Sequence, residues 1–257
     1  MSIREQRQII RRMLDNTSVI DAPTAYYALY HDPKRSTLAT RVGKDGRPLG
    51  FAGRFQTGYD LFRPLVTMRC RSAEVAADLL AEILTPGRPY IFFANLNQLP
   101  LVGGSFQIEN QRILHIYYLN NPRFKAPVNV MVIERPTEDG KPRFEIRSGG
   151  LQAVSGINWI SPGFAELYVH TEPLARKRGW GRSVAAACTA HILRDGRLPL
   201  YLAETDNTAS IRLAQSLGYV DSGARQLYAE VIYLGHPAPQ RPPLESQEAS
   251  GRKQETR

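Results

Sequence analysis

Apolar residues recur at two spacings along the chain, and the switches between them mark out its elements. Ile9, Ile10, Met13 and Leu14 share one stripe at helical spacing and predict a helix over about residues 3–14. "TLATRVG" and "LGFAGRF" read as strands flanking "KDGRP", whose Asp45-Gly46 pair is a hairpin signal. "LVTMRC" follows as a strand. Ser72 can cap a helix running to about residue 84, with Val75, Leu79 and Ile83 on one face. "RPYIFFANL" and "RILHIYYL" are further strands. From about residue 125 the pattern starts again. "PVNVMVIER" alternates and predicts a strand, "EDGKP" a turn, and "RFEIRS" with "LQAVSGINWI" a hairpin across Gly149-Gly150. "FAELYVH" is a strand, followed by an Ala-rich helix and the strand "LPLYLAET". A helix over about residues 208–217 ends at Gly218, a natural residue for the position just past a helix, and "RQLYAEVIYL" closes the fold.

Both halves run hairpin, strand, helix, strand. The pattern predicts a mixed α/β fold built by duplication, with units over residues 1–124 and 125–236. Residues 237–257 are rich in Pro, Gln, Ser and charge and nearly free of large apolar side chains. Such a segment buries too little surface to offset its ordering entropy, so disorder is expected there.

Hydrophobic residues make up 42% of the 257-residue chain, enough to build a core without disulfides or a structural metal. The two cysteines, Cys70 and Cys188, form no CxxC pair, so neither a disulfide framework nor a metal site is expected. A reducing, cytoplasmic setting follows. No apolar run reaches the roughly 18 residues of a membrane span. "MSIREQRQIIRRML" lacks the apolar core of a signal peptide, and Glu5 and Asp15 argue against a mitochondrial leader. The net charge of +9 raises nucleic acid as a partner. That charge is spread along the chain, however, and no stacking-aromatic or recognition-helix pattern accompanies it. One local cluster, Arg176 to Arg182, suits a phosphate-bearing small molecule instead.

That cluster, "RKRGWGRS", opens the Ala-rich helix. It is no P-loop, since G-x-x-x-x-G-K-[ST] is absent. It also fails the dinucleotide fingerprint, because Val184 stands at the third glycine position. What remains is R-x-x-G-x-G: Arg176, Gly179, Gly181. Backbone N–H groups at a helix start are donors without intrahelical partners and carry a favourable dipole for an anion. Glycines let a ligand approach the backbone closely. Taken alone, the segment could equally be a solvated basic helix start.

A second motif decides between these. "ETDNTASIRLAQSLGY" carries Asn207, Ser210, Leu213, Gly218 and Tyr219 at the spacing N-x-x-S-x-x-L-x-x-x-x-G-Y. With the R-x-x-G-x-G turn before it, the stretch over residues 144–219 resembles the GNAT superfamily of N-acyltransferases. The resemblance implies the GNAT acyl-CoA N-acyltransferase fold, here as two GNAT-like lobes with a degenerate first one, because "RCRSAE" cannot build the anion turn. Tandem arrangements occur among glycine N-acyltransferase-like and mycothiol-synthase-like proteins. The implied activity is transfer of an acetyl or short acyl group from acetyl-CoA to an amine, without a metal. The implied acyl-CoA site comprises Arg176, Lys177, Arg178, Gly179, Trp180, Gly181, Arg182 and Ser183. Val169, His170 and Thr171 on the preceding strand would face the pantetheine. Asn207 and Ser210 belong to the second motif, and Asn207 could equally serve only as a helix N-cap.

The catalytic side is thinner. Glu166 matches the carboxylate that relatives reach from the strand before the turn, with Tyr168 and His170 following at period two. These side chains could equally face solvent or the other lobe. Many relatives carry a tyrosine acid four residues before the final helix glycine, where this chain has Ala214. Tyr228 and Tyr233 on the closing strand are substitutes, with Tyr228 the candidate acid. Tyr219 reads as structural and Cys188 as a small core residue. The alternative function is a non-catalytic acyl-CoA-binding or regulatory module.

Overall fold

The first half begins with α1 (Ile3–Arg11), capped reciprocally by Ser2 and Glu5. α2 (Ala22–Ala25) starts at a proline-bearing turn and continues into a π-helical turn, Tyr26–Tyr30. Then come β1 (Ser36–Val42), β2 (Pro48–Phe55), β3 (Leu65–Cys70), α3 (Ala73–Ile83), β4 (Pro89–Asn95), a 3-10 turn (Leu96–Leu101) and β5 (Phe106–Leu119). The second half holds β6 (Ile133–Glu134), β7 (Arg143–Ser148), β8 (Leu151–Ile160), β9 (Phe164–Thr171), a 3-10 turn (Pro173–Ala175), α4 (Trp180–Arg194), β10 (Leu198–Glu204), α5 (Thr208–Ser216) and β11 (Tyr219–Tyr233). This computed structural model describes residues 1–120, 124–127 and 129–236. The expected disordered segment, residues 237–257, lies outside the described residues.

"PVNVMVIER" does not form the strand its alternation predicts. Only Ile133 and Glu134 pair, opposite Glu145 and Phe144 at the sheet edge. Alternation yields a strand only where a neighbouring ladder accepts it, and here a single edge offers two positions. The segment over residues 22–30 is the reverse case, a helical run that the periodicity reading passed over.

All eleven strands form one sheet, in the order β1-β2-β3-β4-β11-β5-β10-β9-β8-β7-β6. The order shows an exchange. β5 belongs by sequence to the first half, yet it pairs with β10 and β11 of the second. β11 belongs to the second half, yet it pairs with β4 of the first. The sheet therefore runs unbroken across the expected boundary at residue 124.

Within each half, one parallel strand pair carries a helix: β3–β4 with α3, and β9–β10 with α4. Alternating side chains divide the sheet faces. Val66, Met68, Leu227 and Ala229 pack with α3, and Leu167, Tyr201 and Ala203 with α4, on one face. Leu65, Phe93, Leu114 and Leu202 point to the other face, toward α1 and the segment over residues 22–30. That segment also reaches the second half, where Tyr26 stacks on Trp159 of β8 with ring centroids 5.0 Å apart.

Both parallel pairs splay, and the two splays end differently. β9 and β10 pair from Phe164–Leu198 to Leu167–Tyr201 and then separate, leaving one backbone edge of 168–171 without a strand partner. β3 and β4 pair only at Leu65–Ile91 and Val66–Phe92. There the gap is closed by the buried Gln98, whose Oε1 accepts the Cys70 N–H at 2.8 Å.

Two outcomes follow from this topology. A fragment of residues 1–124 lacks both ladder partners of β5 and should show no cooperative melting by circular dichroism, while co-expression with residues 125–257 should restore it. Gln98→Ala strands the buried Cys70 N–H without an acceptor and should lower stability by about 1–3 kcal/mol, read from the urea midpoint.

Candidate active site

Gly179 is the N-cap of α4, with φ of 76°, and offers no capping side chain. Open space surrounds its α-carbon: an added Cβ there would meet nothing within 4 Å. Lys177 just before it also takes positive φ, 61°. The first bond of the helix runs from Ser183 N to Gly179 O at 3.0 Å, so the N–H groups of Trp180, Gly181 and Arg182 have no partner within the helix. Arg176, Lys177 and Arg178 are exposed around this start. Arg176 Nε donates to Thr171 O at 3.4 Å, tying the turn to the end of β9.

Gly181 serves a different purpose from Gly179. It is buried, and a Cβ there would stand 2.7 Å from Thr171 Oγ1. The glycine lets α4 lie close on β9, beside Val169 and Leu213. Val169 and Thr171 thus point at α4, leaving their backbone at the splay. Trp180 is buried in the core with the Arg178 guanidinium over its ring at 5.4 Å.

Several residues of the second motif are engaged within the protein. Asn207 Oδ1 accepts the Ser210 N–H at 3.0 Å, a true N-cap of α5. Ser210 Oγ meets Tyr201 Oη at 2.8 Å. Ser183 Oγ donates to Gly179 O and accepts from Asn129 Nδ2. Arg182 Nη2 donates to Ser216 O at 3.3 Å, bracing α4 against the end of α5. His170 is exposed. Tyr219 is buried against Thr189 at 2.8 Å. Cys188 is fully buried and its thiol is pushed up to about 12, as a core residue requires.

Glu166 lies on the opposite face of the sheet from α4. β8 carries a bulge between Ile157 and Trp159, and the extra residue, Asn158, donates Nδ2 to Glu166 Oε1 at 3.1 Å. The carboxyl is 9% exposed. Burial raises its pKa to about 7, against the opposing pull of the Asn158 hydrogen bond.

Glu166 opens into a cavity of about 320 Å3 that crosses the exchange of strands. Leu65, Ile91 and Phe93 come from β3 and β4, Leu114 from β5, Leu202 from β10 and Tyr228 from β11. Leu202 is the first residue of β10 beyond its paired stretch, so the cavity adjoins the splay. Glu166 and Tyr228, named separately from sequence, thus share one chamber. Burial raises the Tyr228 pKa, and Arg112 lies over its ring at 5.1 Å. Tyr233 instead lies in the first-half core.

Sequence reasoning missed three contributors. Tyr27, on the π-helical turn, faces the carboxyl, and burial with the nearby Glu166 charge raises its pKa well above the usual phenol value. The apolar-aromatic run "APTAYYALY" behind Pro23 was the available signal. Asn158 gave none, since its role depends on the bulge. The loop over residues 56–64 supplies Tyr59, which separates this cavity from a neighbouring one of about 360 Å3 lined by Lys141, Asp139 and Tyr168. Tyr59 Oη donates to Asn158 O at 3.4 Å. Among the described residues, no group of three His, Cys, Asp or Glu could hold a metal ion, and no helix is long and apolar enough to cross a membrane.

Residues 147–228 match the family of FR47-like proteins. No curated protein matches the chain in sequence. Among solved structures, a Drosophila melanogaster protein is similar at a TM-score of 0.63 and 13% identity, over 90% of this chain and 95% of its own. A GNAT-family acetyltransferase from Novosphingobium aromaticivorans reaches 0.55 at 15% identity, over 71% of this chain and 88% of its own. A tandem GNAT protein from the clavulanic acid biosynthesis pathway reaches 0.56 at 11% identity, over 91% and 95%. At these identities the likeness is one of fold. The chain therefore has the GNAT acetyltransferase fold, with an FR47-like segment in the half that carries the glycine turn.

Proposed function

We propose that the protein transfers an acetyl or other short acyl group from acyl-CoA to an amine by direct attack. The observation that carries this reading is a buried carboxyl poised near neutrality, in a cavity that adjoins the splay of β9 and β10. The pyrophosphate would lie on the N–H groups that open α4, with Arg176, Lys177 and Arg178 around it. The pantetheine would run along the free edge of 168–171, bringing the thioester to the cavity. Glu166 would take a proton from the amine as its nitrogen attacks the thioester carbon. The C–N bond forms, the C–S bond breaks, and the departing thiolate takes a proton from Tyr228, whose raised pKa keeps it protonated at neutral pH. Buried, free Cys70 and Cys188 fit a reducing, cytoplasmic setting.

The second reading is an acyl-CoA-binding module without chemistry. It draws on Ala214, buried where many relatives have their tyrosine acid. Free-thiol release from acetyl-CoA over a panel of amines separates the two: a binding module releases none.

In the catalytic reading, Glu166→Gln keeps the shape and removes the base. Its turnover number should fall by at least about a hundredfold. Glu166 must be ionised to act, so kcat/KM of the unaltered protein, referred to the concentration of neutral amine, should climb about tenfold per pH unit below about 7 and level off above it. Turnover unchanged in the variant excludes Glu166 as base.

The same group links stability to pH. Its folded pKa of about 7 lies above the ordinary 4.5, so the folded state holds the proton more tightly. Stability is therefore lost as pH rises from about 4.5 to about 7 and stays lower above that. Glu166→Gln removes this loss, so its advantage in urea should grow over that window to at most about 3 kcal/mol. A constant difference between pH 4 and 8 contradicts the raised pKa.

Arg176→Glu with Arg178→Glu should weaken CoA binding by at least about tenfold, measured by calorimetry, at one CoA per chain. Unchanged affinity rules out the turn as the pyrophosphate site.

A further inference from the structure

The charge around the Glu166 cavity limits what can enter it. Arg63 is the one cation lining it among the described residues. Two of its three guanidinium nitrogens are taken: Nε meets Asp60 Oδ2 at 2.6 Å, and Nη1 meets Glu230 Oε2 at 2.6 Å. Arg112, over the Tyr228 ring, is paired with Glu204 at 2.9 Å. Lys141, in the neighbouring cavity, is paired with Asp139 at 2.9 Å. Counting Glu166, the chamber and its rim carry carboxylates in excess of cations. A ligand carboxylate or phosphate would meet cations already neutralised by the protein's own carboxylates and bring like charge to this excess.

Most of the remaining wall is apolar, with Tyr27, Leu65, Phe93, Leu202 and Tyr228 around the space. The one further carboxylate in the lining, Asp60, is already held by Arg63 Nε and by the 62 and 63 N–H groups, which leaves it poorly placed to take a second ligand cation. At about 320 Å3 the cavity sits at the small end of ligand sites. A compact apolar body fills it, with one nitrogen directed at Glu166.

We infer that the acceptor is a primary amine on a small apolar body with no other charge, an arylalkylamine or short alkylamine. It is neither an amino acid nor a polyamine. This rests on the acyl-transfer reading above, and the two can fail separately.

The decisive comparison uses 2-phenylethylamine, phenylalanine and 1,4-diaminobutane with acetyl-CoA. The first two differ by one carboxylate, and the third brings a second cation. Thiol release should give 2-phenylethylamine a kcat/KM at least about a hundredfold above both others, given the cost of an unpaired buried charge. Calorimetry on the CoA-saturated protein should rank their affinities the same way. Binding of 2-phenylethylamine without thiol release supports the ligand class and overturns acyl transfer. Thiol release with phenylalanine or diaminobutane at equal or higher efficiency overturns the inference and leaves acyl transfer standing. Failure of 2-phenylethylamine both to bind and to react also overturns it. Glu230→Gln offers a gain-of-function check, since it frees one end of Arg63 while leaving the bonds from the 62 and 63 N–H groups to Asp60 intact. The phenylalanine to 2-phenylethylamine efficiency ratio should rise by about tenfold. An unmoved ratio removes the ion-pair argument.

Discussion

The ladder between β5 and β11 joins the two halves, because each strand comes from one half and borders the other. A strand in mid-sheet must satisfy backbone groups on both edges. β5 obtains its partners from β10 and β11, and β11 obtains its own from β4 and β5. Neither half can close its sheet alone. This constraint also fixes where a chamber can form. The exchange places β4, β11, β5 and β10 side by side, and the cavity lies over that row. Its walls are drawn from both halves because the sheet is.

Glu166 shows what such a chamber costs. A carboxyl in an apolar enclosure is less stable as an anion than in water, and here the Asn158 hydrogen bond offsets only part of that penalty. The surrounding packing sustains the deficit: Trp159 stacked on Tyr26, and the core under α1, lie on the same face. The group whose burial weakens the fold is also the one whose proton is held tightly enough to be exchanged near neutral pH. Stability and titration near neutral pH meet in one side chain.

Much of this was legible in the sequence, and the reasons for the rest are physical. The glycine turn could be read because anion-binding helix starts need particular residues at fixed spacing, and Gly179 and Gly181 stand where that spacing demands. Their separate tasks could not be read. One keeps the turn open and the other clears Thr171, a distinction set by what packs against each α-carbon rather than by local pattern. Glu166 and Tyr228 were found individually, by strand period and by elimination. Their meeting depends on β11 crossing to the far half, which no local pattern encodes. Asn158 depends on a bulge. The strand expected from "PVNVMVIER" failed because alternation describes a willing strand and says nothing of whether an edge awaits it.

Gln98 closes the gap between β3 and β4 with a single side chain. That closure sets the two halves apart. The second half has an open splay beside a charged turn. The first has no such opening, yet Ile91 and Phe93 wall the chamber and β4 borders β11. The contacts of the first half that matter to the chamber are therefore contacts with the second half. The first half cannot be cut away without removing part of the chamber's floor.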